Sequence, residues 1–231
     1  TKRGAGSLTL ANTNMFTGIM TISNGTVNIG NGGTIGSIAC PVNNMGTLVF
    51  NRSNTNSLAS VVSGPVGLVQ NGTGVLNMDT VRHTYSGTTT VSRGELWLNV
   101  GSWGNGSIIG TSTLIINSGA VVRTMATHVF DYTANNPIRI NYGTLEFNYE
   151  AYINNFEMTG GRFTSTNGHW AVTYGGFSFH AATVPAIVAI EVNMGGTCTH
   201  TVEDGAPNPD VRIEGRLSGN GTFVKAGPGS M

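Results

Sequence analysis

Carboxylates and histidines are the residues most able to do chemistry, and in this chain they are few. The densest group is the stretch "EDGAPNPDVRIEGR", which gathers Glu203, Asp204, Asp210, Arg212, Glu214 and Arg216, and a second pair is Glu146 with Glu150. Hydrolysis of a glycosidic bond needs two carboxyl groups on either side of it, one holding a proton and one not. A loop interrupted by Pro207 and Pro209 reads instead as a solvated turn. It also lacks the spaced aspartates of a calcium loop. The run "CTHTVED" sets Cys198 and His200 on one side of a strand with Glu203 beyond them. Those three donors fall short of a supported tetrahedral metal set. His83, His128, His169 and His180 stand apart in the sequence, and no nucleophile phrase such as GxSxG or phosphate loop GxxxxGK[ST] is present. The expectation is a non-enzyme with no catalytic residue, no metal and no cofactor.

What positions these residues is a chain of 231 with 34 glycines and 39% hydrophobic residues, too apolar for disorder and long enough for one all-β domain. Eleven basic and 11 acidic residues are scattered singly, giving zero net charge. There is no basic stripe for nucleic acid and no polybasic membrane patch. No apolar run reaches the length of a membrane span, so no membrane insertion by this segment is expected. The chain opens on Thr1 rather than Met, which fits a processed protein or an excerpt of a longer one. Cys40 and Cys198 lie far apart, without a CxxC partner, and read as two lone thiols or a single bridge.

One phrase, Gly-x-apolar-x-apolar, recurs: "GSLTL" from Gly6, "GTVNI" from Gly25, "GTLVF" from Gly46, "GPVGL" from Gly64, "GVLNM" from Gly74, "GELWL" from Gly94, "GTLEF" from Gly143 and "GGFSF" from Gly175. Such alternation puts Val27 and Ile29, or Leu96 and Leu98, on one side while Asn28 and Trp97 face the other, as a half-buried strand requires. No stretch has a sustained helical period. Short strands repeating about every twenty residues bury no core singly but do so when stacked coil on coil. Two architectures remain. One is a right-handed parallel β-helix, or β-solenoid, with turns of about 20 residues. The other is a β-sandwich of hairpins, to which the Asn-Gly pairs at Asn24, Asn31, Asn71, Asn105, Asn167 and Asn220 would contribute loops.

Residues 4–30, "GAGSLTLANTNMFTGIMTISNGTVNIG", align with 72–99, "GTGVLNMDTVRHTYSGTTTVSRGELWLN", matching Gly4, Gly6, Leu8 and Leu10 to Gly72, Gly74, Leu76 and Met78. After a one-residue insertion, Phe16, Gly18, Thr21, Ile22, Gly25, Val27 and Ile29 fall on Tyr85, Gly87, Thr90, Val91, Gly94, Leu96 and Leu98. This phrase resembles the passenger-associated repeat of bacterial autotransporters. A third, truncated copy begins at Leu217 and runs to Met231, while residues 100 to 215 keep the glycine rhythm without the phrase. The resemblance implies a single parallel β-helix over residues 1–231, displayed on or shed from the bacterial surface, with a structural or adhesive role and no catalytic site.

The two ends share a phrase: with Lys225 on Lys2, Gly227, Gly229 and Ser230 fall on Gly4, Gly6 and Ser7. Both break off in mid-phrase, so the coil is expected to continue end to end into a stalk, fibre or filament, in flanking sequence or in another copy. The candidate contact residues are Lys2, Arg3, Ser7 and Leu8 at one end and Lys225, Pro228, Ser230 and Met231 at the other. Between Phe130 and Phe179 lie 12 of the 18 aromatic residues. Phe147, Phe177 and Phe179 occupy inward places of the phrase. Tyr149, Tyr152, Trp170 and Tyr174 read either as more core or as an outward platform for a glycan or protein on a host surface. The acidic loop at 203–216 or this aromatic segment would be the groove of the runner-up reading, a secreted carbohydrate-active β-helix. Threonine pairs at 111–113, 164–166 and 199–201 resemble those of ice-binding solenoids, but their spacing is too irregular for one flat array.

Overall fold

A computed structural model of the chain describes residues 1–79, 81–101, 113–130 and 137–231; Asn105 and the Thr111 end of the first threonine pair lie outside them. The described residues form short strands and turns, with no helix. Every strand pair is parallel, as in Ser7–Leu10 beside Thr26–Ile29 and Thr197–Val202 beside Thr222–Ala226. A hairpin sandwich requires antiparallel neighbours, so the β-sandwich alternative is overturned. The chain is a β-solenoid. The Asn-Gly pairs turn corners between parallel strands, with Gly25, Gly32 and Gly168 at φ of +72°, +81° and +70°.

Each coil is triangular. The first face is one sheet of 11 strands running from Ser7–Leu10 to Thr222–Ala226. On the second face, Thr13–Asn14 pairs with Ser37–Ile38, and eight strands follow from Asn56–Ser57 to Val211–Ile213. The third face holds Met20–Ile22, Val42–Asn44 and Val62–Ser63 near the start. Toward the end it holds Ala151–Tyr152, Trp170–Thr173, Glu191–Met194 and Leu217–Gly219. Coil length is uneven: Ile138 pairs with Phe156, 18 residues on, whereas Thr201 pairs with Ala226, 25 residues on.

The Gly-x-apolar phrase does its predicted work. Val27, Ile29, Leu48, Leu96 and Leu98 are fully buried, and successive coils superpose Leu8, Val27, Leu48 and Leu68 in one inward column. Toward the C-terminal half the core between the first and second faces turns aromatic. Phe147 meets Phe163 at 5.1 Å, Phe163 meets Phe156 at 5.0 Å and Phe156 meets Phe177 at 4.8 Å between ring centroids. Inward polar residues sit where corners leave carbonyls unpaired. Asn44 donates to Gly67 O at 2.6 Å, and Gln70 to Gly72 O and Gly74 O at 3.0 Å each.

The two aligned repeats do not superpose by translation. In the first, Ser7–Leu10 and Thr26–Ile29 lie on the first face; in the second, the equivalent Val75–Met78 and Glu95–Leu98 lie on the second face. The repeat is therefore turned by one side of the triangle. Each corner uses the same glycine chemistry, so the phrase specifies "corner, then strand" and leaves open which face the strand joins.

Candidate functional site

The acidic loop is solvent-exposed over most of its length, as expected, but two of its carboxylates are tied down by hydrogen bonds. Asp210 accepts Gly205 N–H on Oδ1 at 2.7 Å and Ser230 N–H on Oδ2 at 2.7 Å, with the Ser230 hydroxyl at 3.0 Å. These donors, the Ser230 amide first, hold its carboxyl below the usual aspartate range. Glu203 accepts Ala181 N–H at 3.0 Å and lies 3.2 Å from His180 Nδ1; the Ala181 amide and then His180 hold its carboxyl low as well. Glu214 is paired with Arg162 at 3.3 Å and with Arg212 at 2.8 Å. Glu203 and Asp210, engaged by these donors and held low, are poorly placed to give a proton to a leaving group. Glu146 and Glu150 diverge: Glu146 pairs with Arg123, which also reaches Glu95 at 3.0 Å, while Glu150 faces His169 Nδ1 at 3.3 Å.

Histidines that look isolated in the sequence meet neighbours from adjacent coils or turn inward. His83 and His200 are buried, and each Nδ1 accepts a backbone amide from the preceding coil, Val62 at 3.2 Å and Phe177 at 3.3 Å. That fixes the proton on Nε2, which has no hydrogen-bond partner among the described residues. Burial pushes both imidazoles down to about 4. Cys198 is buried beside His200 on the inward side of Thr197–Val202, and Cys40 is buried elsewhere; both are free thiols that burial pushes up. His200 stacks on Phe223 at 4.6 Å, so the Cys198/His200 side belongs to the core. Among the described residues no three metal-ligating groups converge.

The four aromatic candidates gather on the third face. Ala151 and Tyr152 pair with Ala171 and Val172, which pair with Val192 and Asn193. Ala171 and Thr173 turn inward, so Trp170 and Val172 point out, followed by Tyr174 beyond the strand end. Trp170 is 41% exposed and Tyr174 57%. The Tyr152 and Tyr174 rings are parallel within 8° at 6.3 Å, and Tyr149 stacks on His169 at 5.4 Å. Sequence spacing flagged these residues. What it missed is Gly195, in line with Tyr174 on the next coil, where a Cβ would fall against ring carbons Cε1, Cδ1 and Cζ.

The shared terminal phrase has a local cause. Lys2 Nζ donates to Gly4 O at 2.6 Å and Lys225 Nζ to Gly227 O at 2.7 Å; Gly4 and Gly227 have φ of +77° and +80°. Gln70, the aligned residue of the second repeat, makes the same bond to Gly72 O. The phrase is thus a corner clasp. Around it, Leu8, Leu10, Phe16, Ile19 and Met20 line a recess of about 330 Å³ at one end, and Ile213, Phe223, Lys225 and Met231 line one of about 490 Å³ at the other. Arg3, Ser7 and Pro228 are exposed, whereas Ser230 is tied to Asp210.

The passenger-associated-transport-repeat family model matches residues 1–29 and 68–98. The chain is 39% identical over 108 residues to the adhesin BmaC autotransporter of Brucella suis biovar 1 (strain 1330), an alignment covering 47% of this chain and 3% of that protein. No solved structure matches the chain. The chain is thus a β-solenoid whose residues 1–29 and 68–98 match the passenger-associated transport repeat, and it is similar over part of its length to a small part of an autotransporter adhesin.

Proposed function

We propose that the chain is a stiff segment of a bacterial extracellular adhesin or surface fibre, a non-catalytic solenoid that holds a binding face away from the cell. The observation that carries this reading is the pair of passenger repeats at 1–29 and 68–98 built into one continuous stack of parallel coils. The similarity to part of a far longer autotransporter adhesin supports an extracellular location and an adhesive role. Partners in this reading are further coils at the ends and a host-surface or glycan ligand on the side. Lys2 also donates to Asn24 O at 2.9 Å, in the coil that follows it. A coil laid beyond Lys225, from flanking sequence or another copy, would supply the matching carbonyl and cover Phe223 and Met231.

Two measurements test it. Negative-stain electron microscopy of the purified chain should show rods, with end-to-end association that a charge placed in the terminal recess, Met231→Asp, reduces. Discrete particles one domain long at all concentrations would sink the assembly part. Beads coated with the chain should adhere to host cells or matrix; no adhesion above an uncoated control would sink the adhesive part. The carbohydrate-active reading has less support, since Glu203 and Asp210 are occupied by backbone donors. Polysaccharide turnover lost on replacing Glu203, Asp204 and Asp210 by Ala would restore it.

A further inference from the structure

We propose that the outer side of the four-stranded sheet on the third face binds a neutral oligosaccharide, laid along strand Trp170–Thr173 between Trp170 and Tyr174 and supported by Gly195 beneath the Tyr174 ring. The proposal rests on the adhesive reading and gives it a site and a ligand class.

Trp170 opens the strand and Tyr174 sits in the bend just past its end, four residues on, so they are at most about 13 Å apart at the usual strand rise. Both are exposed, yet neither is a loosely projecting side chain. The Tyr174 ring occupies the space a Cβ on Gly195 would take, so one side of it rests on the backbone of the next coil. Tyr152, parallel to it, widens the apolar surface. Aromatic faces carry partial negative charge and accept the C–H face of a pyranose. The surroundings supply hydroxyl partners. Register puts Glu191 beside Trp170 and Asn193 beside Val172 on the following coil, with Glu150 and Asn154 on the preceding one.

Charge selects among saccharides. Glu150 and Glu191 flank Trp170 directly; Glu150 also faces His169 Nδ1 at 3.3 Å, and register sets Arg216 beside Glu191, one coil beyond it from Trp170. Sulfated or acidic sugars would meet two carboxylates, whereas a neutral chain meets acceptors for its hydroxyls. A peptide adding as a strand has nowhere to pair, because Trp170–Thr173 is hydrogen-bonded to neighbours on both sides. Some outward rows on the other faces carry ion pairs such as Arg139–Glu157 and Arg123–Glu95.

The test is titration of the folded chain with chitotetraose and cellotetraose, with a heparin tetrasaccharide as the anionic probe, read by calorimetry and tryptophan fluorescence. A neutral tetrasaccharide should saturate the chain, and Trp170→Ala and Tyr174→Ala should each weaken it by about tenfold or more, as central aromatic contacts do. Gly195→Val, which keeps both aromatics but displaces the Tyr174 ring, should weaken binding comparably, while Trp97→Phe on the second face should bind as the unaltered chain does. Heparin bound more tightly than the neutral probes, no saturation at millimolar saccharide, or equal affinity in all variants would each overturn the proposal. Bead adhesion in the same variants separates it from its parent reading. Adhesion that survives without saccharide binding overturns the glycan site and leaves the adhesin; no adhesion by the unaltered chain removes both.

Discussion

The first and third faces are built from the same coils, yet their outer surfaces differ. On the first face, Arg139, Glu157, His180 and Glu203 join across successive coils through contacts of 2.9, 3.7 and 3.2 Å. On the third, Trp170 stands exposed beside Glu191, and Tyr174 stands exposed over Gly195. Inside, the two faces obey one pattern, with Phe156 and Phe177 on the first and Ala171 and Thr173 on the third all turned to the core. The repeat phrase constrains only inward positions. Outward positions are where coils are free to diverge, and where a binding function can be placed without disturbing the stack.

The sharpest way to break that comparison is to truncate an aromatic on each side of the wall. Phe163 is fully buried against Phe147 and Phe156. Phe163→Ala should cost about 3–5 kcal/mol in urea unfolding, from lost transfer energy plus an unfilled cavity. Trp170→Ala, removing a larger side chain, should change stability by no more than about 0.5 kcal/mol, as surface substitutions usually do. Equal losses would mean that the third face is core in disguise.

Acid should act first on the interior, before the carboxylates of Glu203 and Asp210 lose their donors' contribution. His83 and His200 are held near 4 by burial, below their ordinary value of 6.5 in the unfolded chain. Between those limits the unfolded state binds more protons, so the histidine contribution is full above about pH 6.5, falls as pH drops toward 4 and then levels. Complete loss of one such contribution is worth about 3 kcal/mol. Urea midpoints measured from pH 7.5 to 4 should fall across this window. Replacing His200 by Phe should flatten the pH slope even though the variant is less stable throughout, because Phe177 N–H loses its acceptor. An unchanged slope in both His83→Phe and His200→Phe would remove burial of these imidazoles as the cause.

How far all this was legible depends on which contact a residue makes. Strand and inward side were readable at Val27, Ile29, Leu96 and Leu98, because alternation after a glycine has a single physical solution. The period favoured parallel stacking, while the Asn-Gly pairs left a hairpin sandwich open. Coil length was not readable: it varies from 18 to 26 residues with the loops, and only that length brings His169 to Glu150 or His180 to Glu203. The phrase likewise hid the turn of one face between the two repeats. The four aromatics were visible as a cluster, but Gly195 was one more glycine among 34 until the register set it under Tyr174.

The smallest expected effect separates two kinds of outward ion pair. Glu146 on the second face is 7% exposed and depends on Arg123, which is also shared with Glu95. Arg123→Ala leaves a nearly buried carboxylate without its cation, so the loss should be about 1–3 kcal/mol, the penalty for an unsatisfied buried polar group. On the first face, Arg139 is 47% exposed in its pair with Glu157. Water replaces the guanidinium there, and Arg139→Ala should cost about 0–1 kcal/mol, less in high salt. Measured side by side in urea at two salt concentrations, the first loss should persist and the second fade. If Arg139 mattered as much as Arg123, the first-face ladder would be a structural seam, and the division between a constrained interior and a free exterior would have to be redrawn at that row.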